Sequence, residues 1–347
     1  MLLAIEIGGT KLQLGVGSGE GGPLAAIERV DVAPERGADG VLRQIEQTAP
    51  ALIQRHTVTA VGIGFGGPVD ADAGRTVLSH QVEGWEDFPL ADWCRKTLAL
   101  PVVIGNDSDS AGLGEARFGA GKGHRVVFYT NVGSGIGGAL VVDGQLYRGA
   151  GGIAAELGHL RPGPLAERPD QTVESVASGW GIAAAARARL ADPTSLLFGP
   201  LANGERSPQP EAVRQRLIDR EEADEEFAAD LLHRCNGRAE TLSAAMVAAA
   251  AAEGNRLALE VFDHACQTYG WAIAQMITLS APDVVVIGGG VSLADETLLL
   301  APLREYVDRY VFPPLKGSFQ IVPSALGEEV VLHGALALAA GASSLLE

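Results

Sequence analysis

The chain has 347 residues, with 43 aspartates and glutamates against 26 lysines and arginines, which gives a formal net charge of −17. This charge excludes a surface built to bind nucleic acid. The hydrophobic fraction of 47% excludes intrinsic disorder, and the length is typical of about two domains, each with its own core.

Three cysteines, Cys94, Cys235 and Cys266, are too widely spaced and too few to form a disulfide framework. A β-rich run begins at Leu2, where a secreted protein would have its signal peptide, so we expect a cytoplasmic protein. The most membrane-like stretch, residues 330–346, contains two glycines and is shorter than the roughly 20 apolar residues of a membrane span. We expect it to be a terminal helix packed on a core.

The first third of the chain alternates predicted strands and helices. Alternating polar and apolar residues predict an opening hairpin, with strands over 2–7 and 11–16. The segments that follow are a strand at 25–32, a helix at 41–53, a strand at 60–65, a helix at 90–98, a strand at 101–104 and a helix that starts near Ala111. Up to the strand at 101–104, the order is therefore β-β-β-α-β-α-β.

The same plan starts again in the second half of the chain. A strand at 125–130, a glycine turn at 131–138 and a returning strand at 139–142 predict a second hairpin. It is followed by helices at 172–190, 243–252 and 257–279, a strand at 284–287 and a helix at 296–310. Residues 192–230 are rich in proline, glycine and charge, with an acidic run at 219–226. We interpret them as a solvated surface insertion rather than a partner-binding tail.

Glycine turns end several of these strands, and backbone N–H groups in such turns can cradle a phosphate. The turn at 8–11 joins the strands of the first hairpin and adds a hydroxyl and a cation, although alone it is more often a simple turn. The turn at 133–138 lies between two strands, which disfavours a dinucleotide site. The turn at 288–290 follows a strand and precedes a helix, which suits a nucleotide base or ribose and equally suits tight packing.

A carboxylate, Asp107, closes a buried strand beside Asn106. For a lone aspartate, helix capping is the simpler interpretation. Beside phosphate-binding turns, the same carboxylate can accept a proton from a hydroxyl whose oxygen attacks a γ-phosphoryl group. A second polar cluster, Glu156 and His159 with Glu174, supplies acceptors and a donor for the hydroxyls of a polyol.

Taken in order, these motifs resemble the ROK (repressor, open reading frame, kinase) family of sugar kinases, over essentially the whole chain. The matching segments are 6–11, 64–69, 106–111 with 114–115, 133–138, 156–159 and 282–290. The resemblance implies an α/β, duplicated actin-like ATPase (ribonuclease H-like) fold with two lobes and a central cleft. Residues 1–117 would form the small lobe, joined by the C-terminal helix 330–347, and residues 118–329 the large lobe.

The resemblance also implies transfer of the γ-phosphoryl group of ATP to a hydroxyl of a hexose, with Asp107 as general base. It implies magnesium bound through ATP near Glu6, and a homodimer. The net charge and the lack of a membrane-like span predict no nucleic-acid and no membrane partner. The implied sugar-binding residues are Gly67, Asn106, Asp107, Glu156, His159 and Glu174. The implied nucleotide-binding residues are Glu6, Gly8, Gly9, Thr10, Lys11, Gly133, Ser134, Gly135, Gly288, Gly289 and Gly290.

Two departures from the family pattern bear on the site. Many members have aspartate where Glu6 stands, and the longer side chain moves the carboxylate toward the metal and phosphate region. Members also commonly bind zinc through the histidine that matches His159 and three downstream cysteines. Because Leu160 to Val173 contain no cysteine, we predict no structural zinc, and we expect a hydrogen bond to hold His159 instead.

Proteins other than active kinases share these motifs. Repressors of the family place a helix-turn-helix before the first hairpin, which here begins at Leu2, so we expect no repressor. A degenerate sugar or nucleotide binder and another phosphotransferase or ATPase of the same fold stay open. Asp107 favours the kinase, because a binder needs no base. Glucose-like sugars are favoured, while fructose, mannose, allose and N-acetylated hexosamines stay open as acceptors.

Overall fold

The computed structural model describes residues 1–79, 81–163, 170–191, 224–293 and 296–343, which form two α/β lobes with a five-stranded sheet in each. The first sheet has the spatial order β3-β2-β1-β4-β7. Its strands are β1 (Leu2–Ile7), β2 (Lys11–Gly17), β3 (Ala26–Asp31), β4 (Ala60–Phe65) and β7 (Val102–Asn106). A separate two-stranded ribbon consists of β5 (Val69–Asp70) and β6 (Arg75–Thr76).

The first sheet is covered on both faces. Because successive side chains of a strand point to opposite faces, Leu3 and Ile5 of β1 pack with the helices α1 (Gly37–His56) and α2 (Leu90–Leu98). Leu2 and Ala4 pack on the other face, against the helix near the C-terminus. This double burial explains why β1 is apolar at almost every position.

The second sheet repeats the arrangement of the first, in the order β10-β9-β8-β11-β12. Its strands are β8 (Val126–Val132), β9 (Ile136–Val142), β10 (Gln145–Leu146), β11 (Val284–Gly288) and β12 (Gln320–Pro323). In the first sheet β1 pairs antiparallel with β2 and parallel with β4, and in the second β8 pairs antiparallel with β9 and parallel with β11. The predicted duplication is confirmed.

The core of the large lobe is built around its helices. Those described before the last sheet strands are α4 (Val173–Ala177), α5 (Gly179–Ala191), α6 (Asp224–Arg234), α7 (Ala244–Ala252) and α8 (Arg256–Ser280). Helix α9 (Leu300–Tyr310) packs along α8, which buries most of its length. The side-chain oxygen of Asn255 caps α8 by accepting a hydrogen bond from Ala258 N (3.1 Å).

Two helices cross where the lobes meet, α3 (Asp107–Phe118) and α10 (Val330–Ser343). Helix α10 packs on α3, β1 and β4. A Cβ at Gly334 would overlap the carbonyl oxygen of Ser110 in α3, so only glycine allows this close crossing. Within the described ranges, no helix combines the length and apolar character needed to cross a membrane.

The structure corrects several predicted helix boundaries. The helix predicted at 296–310 begins at Leu300. The helix expected to start near Ala111 begins at Asp107, because Asn106 Oδ1 accepts hydrogen bonds from Ser108 N (2.8 Å) and Asp109 N (3.2 Å). The predicted helix at 172–190 is broken into α4 and α5 at Ser178, whose backbone is extended.

Other predicted and unpredicted segments complete the chain. The short strands β5, β6, β10 and β12 were not predicted, because a few residues carry too little periodicity to be recognised. Of the predicted insertion at 192–230, residues 192–223 lie outside the described residues, as does most of the acidic run at 219–226. The part that is described belongs to helix α6.

Candidate active site

The site is organised around the junction between β7 and α3. Strands β4 and β7 are parallel, so their carboxyl ends meet at one edge of the sheet, where Phe65 pairs with Asn106. Asn106 Nδ2 donates a hydrogen bond to Gly67 O (3.0 Å), while its Oδ1 caps α3. Asn106 thus ties the loop after β4 to the start of the helix, and both predicted residues lie at this junction.

Asp107, the predicted general base, occupies the first position of α3. Its Oδ1 accepts a hydrogen bond from Ser108 N (2.7 Å). Burial raises the pKa of the Asp107 carboxyl to about 6, because the loss of hydration outweighs the hydrogen bonds from Ser108 and Asn106. Such a carboxylate is ionised at neutral pH and more basic than an ordinary aspartate, which suits it to accept a proton.

The start of α3 lies between the two glycine hairpins. On one side, Gly66 N donates to Ile7 O (2.8 Å) at the end of β1, and a Cβ at Gly66 would stand 3.6 Å from Asp107 Oδ2. On the other side, Ser108 Oγ donates to Asn131 Oδ1 (2.9 Å) on β8. The candidate base is therefore positioned against both lobes.

The first hairpin holds Glu6 in a buried polar cluster. Glu6 is 8% exposed, its Oε2 accepts a hydrogen bond from Gln13 Nε2 (2.6 Å), and its Oε1 lies 3.6 Å from Lys11 Nζ. Burial raises the pKa of Glu6, an effect that Lys11 and Gln13 oppose. In the turn itself, Gly8 N donates to Lys11 O (3.0 Å), and Thr10 is exposed at the tip. The sequence signalled the turn but not the role of Gln13.

The second hairpin is braced from below by α4 and α5. Gly133 O accepts a hydrogen bond from Gly179 N (2.8 Å), the first residue of α5. Glu174 Oε2, on α4, accepts one from Ile136 N (2.8 Å). The break between α4 and α5 therefore brings both helices to the hairpin. Glu174 was predicted to hold the sugar, and its hydrogen bond in the structure is to this hairpin.

A cavity of about 670 Å³ lies beside the second hairpin. Its size is within the range of small-molecule sites. Of the predicted nucleotide-binding residues, it is lined by Gly133, Ser134 and Gly290. The sequence analysis missed Trp180 and Arg187, which also line it. Trp180 is 53% exposed, and only the structure shows that it lies at a cavity.

The other glycines of the third turn have packing roles. A Cβ at Gly288 would overlap the hydroxyl of Tyr129. Gly289 has a φ of +89°, and a Cβ there would meet the backbone of Val132. The sequence left nucleotide contact and tight packing open for this turn. In the structure, packing explains Gly288 and Gly289, and Gly290 faces the cavity.

A second, smaller cavity is lined by both lobes at the start of α3. Its walls include Asn106, Asp109 and Glu156, together with Pro68, Val69, Gly138, Gly152, Ile153 and Ala154. Glu156 Oε2 lies 3.4 Å from His159 Nδ1. Burial raises the pKa of Glu156, and His159 opposes this effect. Asn106 and Glu156 thus line the same cavity, and His159 contacts Glu156 without lining the cavity itself.

Among the described residues, no group of three or more histidine, cysteine, aspartate or glutamate side chains is arranged to hold a metal ion. Cys94 is buried in the core of the small lobe, and Cys235 and Cys266 in that of the large lobe. All three thiols therefore serve packing.

The chain is similar to known proteins over nearly its whole length. The model of the ROK family matches residues 2–342. The glucokinase of Thermotoga maritima is 31% identical over 341 residues, which cover 97% of this chain and 96% of that protein. The crystal structure of a ROK family glucokinase from Streptomyces griseus, in complex with glucose and AMPPNP, is 29% identical. It covers 98% of this chain and 99% of its own, with a TM-score of 0.76. The resemblance and the fold predicted from the sequence are confirmed.

Proposed function

Because this chain belongs to the ROK family, we propose that it is an ATP-dependent hexose kinase of the glucokinase type, with Asp107 as general base. The similarity to glucokinases supports the activity, and the AMPPNP and glucose of the Streptomyces griseus complex support ATP and a sugar as its substrates. The observation that carries the proposal is the desolvated carboxylate of Asp107 between the two glycine hairpins. A degenerate binder is not favoured, because it would not need this base.

In the proposed reaction, Asp107 accepts the proton of the acceptor hydroxyl. The hydroxyl oxygen forms a bond to the γ-phosphorus as the bond from that phosphorus to the β–γ bridging oxygen breaks, and ADP leaves. The products are a hexose phosphate, ADP and a proton, which Asp107 returns to solvent. The raised pKa of Asp107 makes it a stronger base than an exposed aspartate.

The nucleotide would lie along the second hairpin. The 670 Å³ cavity would take the adenosine, with Trp180 as an aromatic surface for the base and Gly290 against it. The phosphates would extend to the turns at Gly133–Gly135 and Gly8–Lys11, whose backbone N–H groups and lysine suit anions.

We include magnesium in the proposal. The ion binds proteins through one or two carboxylates plus substrate phosphates, and Glu6 is a carboxylate next to the turn of the first hairpin, so the donor set fits. When bound with ATP, magnesium neutralises phosphate charge. Glu6 itself is oriented by Gln13 and Lys11, which fix its carboxylate near the turn.

The sugar would bind at the cavity lined by both lobes, whose volume of about 20 Å³ would have to widen to take a hexose. Asn106 and Glu156 line it, and Gly67 and His159 support these two side chains. Glu174, which is hydrogen-bonded to the second hairpin, would contact the sugar from that side. The family resemblance further supports a homodimer in the cytoplasm, and we include both in the proposal.

The decisive experiment measures ADP release from Mg-ATP with a panel of hexoses and hexosamines and with a blank that contains no sugar. We expect sugar-dependent ADP above the blank, with glucose among the best acceptors. Thermal stabilisation by each sugar is measured in parallel, because any ligand that binds the native state raises Tm. If a sugar raised Tm but no ADP formed, the protein would be a sugar-binding protein and not a kinase.

A further inference from the structure

Asp109 lines the smaller cavity, where the sugar is proposed to bind, yet the mechanism above does not use this residue. It stands two residues after Asp107 in the first turn of α3. It shares the cavity wall with Asn106, Glu156 and Ile153. This is the cavity proposed for the acceptor sugar, and not the one proposed for the nucleotide.

The Asp109 carboxylate is half-buried without a hydrogen-bond partner of its own. Its backbone N–H donates to Asn106 Oδ1 (3.2 Å), but within the described ranges no hydrogen bond reaches its side-chain oxygens. Burial raises the pKa of Asp109 to about 6. A desolvated carboxylate normally accepts a hydrogen bond. The Asp109 carboxylate is therefore available to accept one from a bound ligand.

The charges around the cavity restrict the class of that ligand. The negative charges of Glu156 and Asp107 add to that of Asp109, and only the nearby charge of Arg148 opposes them among the groups that act on it. An ionised carboxylate accepts hydrogen bonds and donates none. The wall therefore suits hydroxyl or ammonium groups and repels carboxylate or phosphate substituents.

We infer that Asp109 is a specificity-determining residue that accepts a hydrogen bond from a hydroxyl or ammonium group of the acceptor hexose and disfavours anionic hexose derivatives. The inference rests on the proposed hexose kinase function. It assigns Asp109 to substrate selection, a role distinct from proton transfer by Asp107.

The test compares kcat/KM for glucose, glucosamine and glucuronate in the full-length enzyme at neutral pH. Asp109→Ala is expected to lower kcat/KM for glucose about tenfold or more, because a hydrogen bond to a charged group is lost. Asp109→Asn keeps the shape and one acceptor oxygen but removes the charge. It is expected to lower the ratio of glucosamine to glucose about tenfold, since charge-assisted hydrogen bonds are roughly twice as strong as neutral ones.

Two further variants separate specificity from folding. Arg148→Gln removes the opposing positive charge, so it is expected to shift the ratio of glucosamine to glucose upward. Asp39→Asn, at an exposed position of α1, is the matched control for loss of one carboxylate and should leave the ratio unchanged.

The outcomes distinguish the inference from the function on which it rests. If the wild type forms no ADP with any sugar, the proposed function fails and the inference with it. If the wild type is active and the ratio is the same in Asp109→Asn and Arg148→Gln, the inference alone is overturned. If Asp109 had a purely structural role, its substitution would lower Tm and would reduce kcat/KM for all three sugars by the same factor. If Asp109→Asn does not fold, the direction of the change in Arg148→Gln decides.

Discussion

Helix α3 carries an acidic side chain near each end, and the two differ in where their hydrogen-bond partners come from. Asp107, at the N-terminus, receives its hydrogen bonds from its sequence neighbours Asn106 and Ser108, and the pKa of its carboxyl is raised to about 6. Glu115, one turn before the C-terminus, is 0% exposed. Its partners come from two other segments of the chain.

Glu115 accepts four hydrogen bonds, three at Oε1 and one at Oε2. Oε1 accepts from Ser324 Oγ (2.6 Å), Leu326 N (2.8 Å) and Ala325 N (3.0 Å), and Oε2 accepts from Ala120 N (2.7 Å). Residues 324–326 follow β12 of the large lobe, so Glu115 fixes α3 to that lobe. The comparison teaches that hydrogen bonding, more than burial, decides whether a buried carboxylate is reactive or structural.

The strongest test of this comparison is Asp107→Asn. We expect kcat to fall by about 10²–10⁴-fold, because the general base is lost, while ATP and sugar binding are retained. The folded-state pKa of Asp107 is above the ordinary value of 3.8, so stability from this group falls as the pH rises through that interval up to about 6. The Tm of the variant at neutral pH should therefore be equal or higher, as measured by calorimetry. A variant that cannot fold would show that Asp107 is structural.

At the other end of the helix, Glu115→Ala is expected to act on stability. We expect the free energy of unfolding to fall by about 3 kcal/mol, because buried donors lose their acceptor. ADP formation per folded molecule should stay within about tenfold of the wild type. Denaturant unfolding and the ADP assay together measure both quantities.

Ser324→Ala is the graded control for that prediction. It removes one donor and leaves the remaining three, so a loss of about 1 kcal/mol is expected. The assignment of Asp107 to catalysis and Glu115 to stability would be contradicted if Glu115→Ala lowered kcat as much as Asp107→Asn does and left Tm unchanged.

The pH dependence of catalysis sharpens the same contrast. The base form of Asp107 disappears as the pH falls through about 6, so kcat/KM for the sugar should rise with pH across that value and level off above it. Glu115→Gln should keep this profile, since its carboxylate takes no part in proton transfer. A flat profile between pH values of about 5 and 8 would remove Asp107 from the role of base.

The smallest expected effect belongs to the cap of the helix. Asn106→Ala removes the oxygen that accepts from Ser108 N and Asp109 N, and we expect a loss of about 1 kcal/mol in the free energy of unfolding. Asn106→Ser restores a capping oxygen without the amide, and should recover most of this stability. If both variants raise KM for the sugar equally, the amide of Asn106 binds sugar independently of its capping.

Much of this protein was readable from its sequence because the signals are local. Alternating patterns predicted both hairpins, and β4 and α2 were predicted with the bounds that the structure has. The turns predicted to bind phosphate flank the start of α3 in the structure, since strand ends gather at one sheet edge. Asp107 could be chosen as the base because it closes a buried strand beside those turns.

Other features were decided only when distant segments met. Trp180 lines a cavity with Gly290, and Glu115 binds residues more than 200 positions later. No local pattern encodes such contacts. The raised pKa values of Asp107 and Asp109 likewise come from desolvation by packing of the two lobes. The sequence by itself thus determined the longer strands, the glycine turns and the candidate base. The tertiary structure determined which carboxylates have their hydrogen bonds made within the protein and which can react, because desolvation and hydrogen bonding depend on neighbours from the whole chain.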